Sequence, residues 1–238
     1  EKLASPIQRI PFYLHKIFRK LRINPHQMVE RGVLNAYLYD PFYYWSPLPS
    51  DVLLCRAIWM IGYWQSPLYF SQHTDVLLSE LLPRPSTSKL FQNAAKQICD
   101  SESVALGIRL YEESSASNNQ SLTSSFKSSA QLQEQINRVL AQRPDVKFFI
   151  FCTHRSSLLF ELHLPPNTVF LTSDLGYTDP IDTLWLLSLC KHHIFTNSSF
   201  YWWGAWLSQH VHLSNQQLII GADNFFNSDS LCSTWQNF

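Results

Sequence analysis

Apolar residues follow two different spacings in the second half of the chain, and these spacings predict strands that alternate with helices. Runs that are almost continuously apolar, typical of strands covered on both faces, lie at residues 103–110, 147–152, 168–172, 193–196 and 217–221. Segments with an apolar residue at every third or fourth position lie between them, at residues 89–99, 132–140, 179–190 and 200–208. This alternation predicts a doubly wound α/β domain with a parallel sheet over residues 86–238.

Residues 1–85 lack this regular alternation, and we assign them to the remainder of a second lobe. The apolar run at residues 57–64 predicts a buried strand, and residues 66–82 are expected to contain a helix. A Pro/Ser stretch at residues 83–88 predicts a linker between the two parts. Inside the second part, the serine-rich segment 113–129 predicts a mobile loop.

An amphipathic helix is predicted at residues 11–21. Leu14, Ile17 and Phe18 share one face, and Lys16 and Arg19 lie on the other. The basic face is either an ordinary solvated surface or a surface that docks onto an anionic membrane. Peripheral contact with a membrane is therefore one expectation for this chain.

Composition narrows the function classes. The 18 basic and 18 acidic residues cancel, whereas a protein that lives on nucleic acid usually has a basic surface, so nucleic acid is not an expected partner. The five cysteines are far apart without a CxxC pair, which predicts free thiols in a reducing compartment. No run approaches the roughly 20 apolar residues that span a bilayer. The six glycines form neither a GxGxxG nor a Walker loop, so a bound phosphate would need a helix terminus and side chains.

Candidate chemistry gathers where the predicted strands end. In a doubly wound sheet, ligands bind beyond the carboxyl ends of the strands, where loops lead into helices. Three such ends carry polar side chains: Gly107, Arg109, Tyr111 and Glu112 at the first; Cys152, Thr153, His154 and Arg155 at the second; and Thr196, Asn197, Ser198 and Ser199 at the third.

The third strand end predicts an anion site. Asn197 or Ser198 is expected to cap the helix that follows, and the first backbone N–H groups of that helix then lack intrahelical partners. The helix dipole favours an anion there, and the hydroxyls of Ser198 and Ser199 can add hydrogen bonds to a phosphate. Arg109 can supply the fixed positive charge that a diphosphate needs. The alternative is that Asn-Ser-Ser merely caps the helix.

The aromatic stretch after this turn has mainly a packing role by its spacing. Phe200, Trp203 and Leu207 share a helical face that Trp206 borders, so we expect most of WWGAW to pack in the core. Gly204 is expected to allow a close approach of helix and sheet. His192 and His193 are adjacent on a strand and face opposite sides, which is a poor arrangement for a shared metal. No metal site is expected.

The segment CKHHIFTNSSFYWWGAWL, residues 190–207, resembles the third motif of glycosyltransferase family 11, the α-1,2-fucosyltransferases, whose bacterial form is close to CKHHIIANSSFSWWGAWL. Other segments resemble the family in the same order. GYWQS with Tyr69 and Phe70 resembles GYFQSxxYF, KFFIFC resembles the FFVFSDD strand, and IIGADNFFN with Trp235 resembles the closing segment. The resemblance extends over roughly residues 30–238.

Three features depart from the family pattern. The first motif, HxRRxD, aligns with residues 107–112, where Arg109 keeps the first arginine and Glu112 partly replaces the aspartate. The acidic pair of FSDD becomes Thr153-His154, although that pair is expected near the base or ribose of the donor. The glycine-rich GGLGNQ segment is absent, and we expect it upstream of Glu1.

The resemblance implies a GT-B-like enzyme with two Rossmann-like lobes: residues 1–85 belong to the acceptor-side lobe and residues 86–238 form the nucleotide-sugar lobe. It would transfer fucose from GDP-fucose to a galactose hydroxyl of a glycan, in α-1,2 linkage, with inversion and without metal or cofactor. Such an enzyme is expected in the cytoplasm, lightly attached to the inner membrane. The altered motifs leave two alternatives: a different sugar nucleotide, or a non-catalytic protein that binds a glycan or a partner enzyme.

The same resemblance, joined to the residues themselves, defines the expected donor site. Its members come from the three strand ends and the first turn of the following helix: Arg109, Glu112, His154, Asn197, Ser198, Ser199 and Phe200. The general base is not assigned, and four residues are equal candidates: Glu112, Glu113, His154 and Asp174.

Overall fold

A computed structural model of the chain describes residues 29–31, 35–39, 45, 57–61, 64, 66–109, 127–155, 157–212, 216–225 and 229–238. The chain divides into two compact units, residues 1–72 with 225–232 and residues 73–224 with 233–238. The helix predicted at residues 11–21 lies outside the described residues, and so do residues 113–126 of the loop predicted at 113–129. The described end of that loop differs from the prediction, because Ser128 caps a helix that begins at Ser129. The functional assignment of residues 1–85 and 86–238 to two lobes stays a prediction.

The first unit carries a three-stranded sheet. Its strands are β1 (Val29–Arg31), β2 (Asn35–Tyr39) and β3 (Ala57–Ile61); β1 and β2 are antiparallel, and β2 and β3 are parallel. The buried strand predicted at residues 57–64 is therefore shorter, and it is not buried on both faces, since Ile58 and Met60 are 40% and 53% exposed. A continuously apolar run gives no alternation from which the outward positions could be read.

The second unit carries a six-stranded sheet in which every strand is parallel to its neighbours. Its strands are β4 (Ser103–Gly107), β5 (Lys147–Cys152), β6 (Val169–Thr172), β7 (His192–Phe195), β8 (Ile219–Gly221) and β9 (Gln236–Asn237). They lie in the order β6-β5-β4-β7-β8-β9. Counted from β4, this is the 3-2-1-4-5-6 order of a nucleotide-binding doubly wound sheet. The predicted α/β fold class, with a doubly wound Rossmann-type carboxyl-terminal lobe as in GT-B-like folds, is confirmed in this sheet.

Six helices accompany the sheet in the described residues: α1 (Thr74–Leu81), α2 (Lys89–Cys99), α3 (Ser129–Gln142), the single turn α4 (Ser157–Phe160), α5 (Pro180–Leu189) and α6 (Ser199–Val211). None of these is long and apolar enough to cross a bilayer. The predicted helix within residues 66–82 is confirmed as α1, and two short 3-10 turns precede it.

Local sequence chemistry explains where these helices begin. Asp179 caps α5 by accepting hydrogen bonds from the N–H groups of Ile181 and Asp182, at 2.8 and 2.9 Å, with Pro180 in the first turn as predicted. At α3, Ser128 and Gln131 form a reciprocal capping box. The predicted linker 83–88 has no regular structure, but Ser86 in it is buried and donates a hydrogen bond to Asp182.

Side chains of the sheet alternate between two faces, and helices cover both. One face presents Val104, Leu106 and Ile150 to the apolar stripe of α3, where Leu132 and Ile136 are fully buried. On the opposite face, α6 packs against β7 and α5, and α5 also packs against α2. Each fully buried large apolar side chain contributes roughly 1.5–3 kcal/mol relative to an exposed one, so burial on both faces fixes the sheet. The cysteines among the described residues, Cys99, Cys152, Cys190 and Cys232, are free thiols, as predicted.

Gly204 lies at the closest approach between α6 and α5. A Cβ built on it would come within 2.7 Å of the Cβ of Leu187. The prediction that this glycine allows helix and sheet to approach is therefore wrong, because its neighbour is a helix. A glycine in an apolar segment indicates a close approach but does not indicate the partner.

Candidate active site

Three strand ends are held side by side at the carboxyl edge of the six-stranded sheet. The N–H of Ile108, just after β4, donates to the carbonyl of Phe151 in β5 at 2.9 Å. On the other side, the N–H of Thr196, just after β7, donates to the carbonyl of Gly107 at 3.0 Å. The structure therefore brings together the three predicted strand ends, with the end of β4 in the middle.

The gap between β4 and β7 is where the strand order reverses direction along the chain, and ligands of doubly wound sheets bind at this point. Here the N–H of Arg109 donates to Thr196 Oγ1 at 2.8 Å. Thr196 is buried and Arg109 is exposed, so the backbone of Arg109 is fixed while its side chain reaches solvent. Thr196 was named among the strand-end residues, but its role in fixing Arg109 was not foreseen.

Tyr201, in the first turn of α6, lies against the end of β4. Burial and then the Cys152 thiol raise the pKa of Tyr201, and the positive charge of Arg109 opposes that rise. The Tyr201 hydroxyl donates to the carbonyl of Ile108 at 3.2 Å, directly beside Arg109 in the chain.

The Asn-Ser-Ser turn is accessible. Ser198 is the N-cap of α6 and makes no side-chain capping hydrogen bond, unlike Asp179 at α5. Asn197 and Ser198 are half-buried, and Ser199 is exposed. Because the Ser198 hydroxyl does not cap the helix, the first N–H groups of α6 are not satisfied by it. The expectation that Asn197 or Ser198 caps α6 holds for Ser198 by position but not by hydrogen bond.

Asn197 has a different task. Its side-chain N–H₂ group donates to the carbonyl of Asn224, after β8, at 2.6 Å. This hydrogen bond ties the turn after β7 to the chain after β8 and thereby holds the turn in place. Asn197 thus holds the turn that contains Ser198 and Ser199.

Gly107 and Tyr201 determine how close α6 comes to the end of β4. A Cβ on Gly107 would lie 2.6 Å from Cγ of Tyr201, so only glycine leaves room for this ring. The Tyr201 side chain is 8% exposed. The two residues together set α6 against the site, a relationship that sequence reasoning did not identify.

The remaining residues of the site predicted for the sugar donor lie at the end of β5 and in the first turn of α6, or outside the described residues. His154 is half-buried at the end of β5, and its carbonyl accepts a hydrogen bond from the Cys152 thiol at 3.2 Å. Phe200 is half-buried and makes an edge contact with Tyr201, with 5.8 Å between ring centres. Glu112 and the candidate base Glu113 lie outside the described residues.

A carboxylate that was considered only as a candidate base lies at the next strand end. Asp174 follows β6, and the N–H of Ser173 beside it donates to the carbonyl of Thr153 at 3.0 Å, so the ends of β5 and β6 are joined. The Thr172 hydroxyl donates to Asp174, and Arg155 pairs with it at 2.9 Å. The Thr172 hydrogen bond, and after it Arg155, lower the pKa of Asp174. This carboxylate is therefore ionised and oriented at neutral pH.

The packing role predicted for the aromatic helix is confirmed for most of WWGAW, since Trp202 and Trp206 are buried, and for Leu207. Phe200 and Trp203, which were placed on the same face as Leu207, are half-buried. Trp235 explains the difference, because it packs on Trp202 and on Phe195 at 5.3 and 5.7 Å between ring centres. The buried part of α6 therefore includes Trp202, which is covered by Trp235 from a distant part of the sequence.

The two adjacent histidines have structural partners. Nδ1 of His192 accepts from the N–H of Leu218 at 2.9 Å, so its Nε2 carries the proton donated to Glu102 at 2.8 Å. That hydrogen bond and the one from Lys191 lower the pKa of Glu102 to about 2. His193 bonds instead to the carbonyl of Cys190. Among the described residues, no three His, Cys, Asp or Glu side chains cluster as metal ligands do.

Comparisons with known proteins identify the family of the chain. The model of glycosyl transferase family 11 matches residues 10–235. An α-1,2-colitosyltransferase from Escherichia coli is 30% identical over 164 residues, which cover 65% of this chain and 52% of that relative. The chain thus spans about half the length of this curated relative.

Among solved structures, KpsC of Thermosulfurimonas dismutans, a β-Kdo 2,4 transferase, is similar at 14% identity, with a TM-score of 0.36 and coverage of 68% of this chain and 53% of that one. The family match covers most of the sequence, including the strand ends and the Asn-Ser-Ser turn. The chain belongs to glycosyl transferase family 11.

Proposed function

We propose that this protein is a glycosyltransferase that transfers fucose from GDP-fucose to a galactose hydroxyl of a glycan, in α-1,2 linkage, with inversion and without a metal ion. The observation that carries the proposal is the hydrogen bond from the Arg109 N–H to Thr196 Oγ1 at the switch point of the sheet. It joins the one retained arginine of the first motif to the strand that leads into the Asn-Ser-Ser turn.

The diphosphate of the donor would lie between this turn and Arg109. The N–H groups of the first turn of α6 and the hydroxyls of Ser198 and Ser199 offer hydrogen bonds, and Arg109 offers a positive charge. In an inverting transfer, the leaving GDP gains negative charge as the bond to the sugar breaks. Hydrogen-bond donors aimed at that charge lower the activation free energy of the transfer, and one such hydrogen-bond donor typically contributes about 2.7–4 kcal/mol. The helix terminus and Arg109 would serve in place of a metal ion.

The base of the donor would lie toward β5 and β6. Three strand spacings separate β7 from β6, which is about 14 Å, and an extended nucleoside diphosphate has a comparable reach. Guanine presents an N1–H and an amino group on one edge, and a carboxylate can accept both. Asp174, oriented by Thr172 and Arg155, would supply such a carboxylate, because Thr153-His154 replaces the acidic pair of the family.

Two features favour a second candidate, a transferase for another nucleotide sugar. The relative from Escherichia coli is an α-1,2-colitosyltransferase. In addition, the first motif here retains one arginine, Arg109, with Leu110 in the place of the second. The same departures keep a non-catalytic protein that binds a glycan or a partner enzyme as a third candidate. For either enzyme, the acceptor would be a bacterial surface polysaccharide precursor, and the place of action the cytoplasmic face of the inner membrane.

Thermal unfolding with GDP, UDP and GDP-fucose tests the donor site. Stabilisation grows as RT ln(1 + [L]/Kd), so a ligand at about a thousand times its Kd adds about 4 kcal/mol. GDP and GDP-fucose are expected to raise the midpoint, and UDP to raise it less. Ser198→Ala and Ser199→Ala should reduce the GDP shift, while Ser79→Ala on the exposed part of α1 serves as the control. The absence of a shift with every nucleotide contradicts the donor site.

Transfer of radiolabelled sugar from GDP-fucose or GDP-colitose to a β-galactoside then tests catalysis. Label from GDP-fucose in an alkali-stable, α-1,2-linked product supports the first candidate. Label from GDP-colitose alone supports the second. Nucleotide binding without transfer from either donor supports the third.

A further inference from the structure

Lys127 has a buried ammonium group at the carboxyl edge of the six-stranded sheet. Its side chain is 7% exposed, although lysine normally keeps its charge in water. Lys127 directly precedes Ser128, the N-cap of α3. Because a buried charge destabilises the fold unless it is paired, the partners of this ammonium group indicate what its position achieves.

The ammonium group binds two segments of the chain that follow neighbouring strands. Nζ of Lys127 donates a hydrogen bond to Asp223 Oδ1, after β8, at 2.6 Å, and another to the backbone carbonyl of Phe238, after β9. It also lies over the Phe238 ring, with 4.9 Å between Nζ and the ring centre. One buried charge therefore contacts a carboxylate, a carbonyl and an aromatic face.

Backbone hydrogen bonds join the same two segments. The N–H of Asp223 donates to the carbonyl of Phe238 at 3.0 Å, and the N–H of Phe238 donates to the carbonyl of Gly221 at 3.2 Å. The Phe238 carbonyl thus accepts hydrogen bonds from both the Asp223 N–H and the Lys127 ammonium group. The ammonium group therefore fixes Asp223 twice, by its side chain and by the carbonyl to which its backbone is bound.

The segment 222–224 holds the Asn-Ser-Ser turn on both sides of Asp223. The N–H of Ala222 donates to the carbonyl of Phe195, the last residue of β7, at 2.9 Å. The side chain of Asn197 donates to the carbonyl of Asn224 at 2.6 Å. These two hydrogen bonds attach the beginning of the turn to the segment that Lys127 fixes.

We propose that Lys127 is a positioning residue for the donor site: it fixes Asp223, and thereby the segment 222–224 that holds the Asn-Ser-Ser turn. Lys127 acts through this segment rather than by contact with the nucleotide sugar. That the turn binds a diphosphate rests on the proposed function. The fixing of the turn rests on the contacts of the buried ammonium group.

Lys127→Met tests this role, because methionine keeps an unbranched apolar side chain but has no ammonium group. Lys147→Met is the matched control. Nζ of Lys147 also donates a hydrogen bond, to Gln97 Oε1 at 3.0 Å, and also lies over an aromatic ring, that of Phe149. Lys147 begins β5, however, so it lies at the opposite edge of the sheet from the donor site.

Two measurements on each protein separate the positioning role from the proposed function. The backbone amide signals of Ser198 and Ser199 are recorded by NMR without nucleotide, and the affinity for GDP is measured by isothermal titration calorimetry. In Lys127→Met, both amide signals are expected to shift, and the affinity for GDP to fall about three- to tenfold. Lys147→Met should match the wild type in both measurements.

Unchanged amide signals in a folded Lys127→Met protein overturn the inference. So does an unchanged affinity for GDP, where the wild type binds GDP. If the amide signals shift in Lys127→Met but the wild type does not bind GDP, the proposed donor function fails and the hold of Lys127 on the turn stands.

Asn197→Ala shows whether the effect passes through the turn. This variant removes the hydrogen bond to the Asn224 carbonyl. In the Asn197→Ala background, Lys127→Met should weaken GDP binding much less than it does in the wild type, because the connection is already broken. Equal losses in both backgrounds would overturn this route.

Asp223→Ala covers the case in which Lys127→Met does not fold. The Asp223 side chain is 56% exposed, so its truncation leaves the apolar core intact but removes the ion pair. The affinity for GDP is expected to fall several-fold, with shifted signals of Ser198 and Ser199. Asp145→Ala, on an exposed turn of the second unit, is the control. Wild-type signals and affinity in Asp223→Ala contradict the positioning role.

Discussion

The ring of Tyr201 lies over Gly107, so closely that a Cβ on the glycine would come within 2.6 Å of the ring. Both positions differ from the family pattern. Gly107 stands where the first motif HxRRxD has histidine, and Tyr201 stands where the bacterial third motif, NSSFSWWGAWL, has serine. In this chain the Tyr201 ring occupies the space beside Gly107.

Gly107→His alone is therefore expected to destabilise the protein by about 1–3 kcal/mol or more, because the new side chain meets a buried ring. Tyr201→Ser alone should also destabilise it, by leaving a cavity. The double variant Gly107→His/Tyr201→Ser restores the family pair and should be more stable than either single variant. Urea unfolding of the wild type, the two single variants and the double variant measures the free energies of unfolding. If the losses of the two single variants simply add in the double variant, positions 107 and 201 do not compensate for each other.

Thr196→Val tests how Arg109 is fixed. Valine has the shape of threonine but no oxygen, so the Arg109 N–H loses the acceptor that lies 2.8 Å away. We expect a stability loss of about 1 kcal/mol and a several-fold weaker binding of GDP. Thr183→Val in α5, whose hydroxyl bonds to the Asp179 carbonyl, is the matched control and should leave GDP binding unchanged. Isothermal titration calorimetry with GDP measures the affinity. Unchanged GDP binding by Thr196→Val would show that the hydrogen bond to Thr196 does not position Arg109.

Asp174→Asn tests the proposed contact between Asp174 and the guanine of the sugar donor. The amide keeps one of the two carboxylate oxygens and replaces the other with an N–H₂ donor, so it cannot accept from both N–H groups of the guanine edge with two oxygens. Affinity for GDP should fall by about tenfold, while affinity for UDP should change little. Asp145→Asn, on an exposed turn of the second unit, is the control. An equal loss for GDP and UDP would indicate a role of Asp174 in holding the strand ends rather than in reading guanine.

His193 should make the protein less stable as the pH falls below neutrality. Burial lowers its pKa from 6.5 to about 3, although its hydrogen bond to the Cys190 carbonyl opposes this. Between pH 6.5 and 3 the unfolded chain binds a proton at this position and the folded chain does not. This contribution is complete above pH 6.5, and it is lost at up to about 1.4 kcal/mol per pH unit as the pH falls toward 3.

Urea midpoints measured from pH 7 to 4.5 check this prediction. The slope of the unfolding free energy against pH counts the protons taken up on unfolding. His193→Gln should reduce that number by nearly one, and His163→Gln, at an exposed position, should leave it unchanged. The acid range below pH 4.5 is best avoided in this comparison, because Glu102, with its pKa lowered to about 2, also begins to contribute there.

Gly204→Ala should destabilise the contact between α5 and α6. Alanine is ordinarily better than glycine inside a helix by roughly 0.5–1 kcal/mol, so a loss of about 1–3 kcal/mol has the opposite sign and reports the clash with Leu187. Leu187→Ala in the same protein makes room for the new methyl group. Thermal unfolding of the two single variants and the double variant should show that the Gly204→Ala loss is smaller when Leu187 is absent.

Local patterns were sufficient for most of the second unit. Residues 147–152 and 89–99 form the strand and helix that their spacing predicted, and Asp179 caps α5 as its side chain suggested. Ser198, Ser199 and Arg109 were assigned to one site because the carboxyl ends of parallel strands share an edge. These features follow from side chains close in sequence, or from a rule that holds for every doubly wound sheet.

The sequence by itself determined the order of helices and strands, the parallel sheet and the edge at which polar residues gather, because apolar spacing and helix caps act within a few residues. Only the tertiary structure decided which residues meet across that edge. The Arg109–Thr196 hydrogen bond, the Tyr201 ring over Gly107 and the Asp174–Arg155 pair each join segments that are distant in the chain. The order of the strands and the space left for each side chain determine these contacts. Neither can be deduced from a short stretch of sequence.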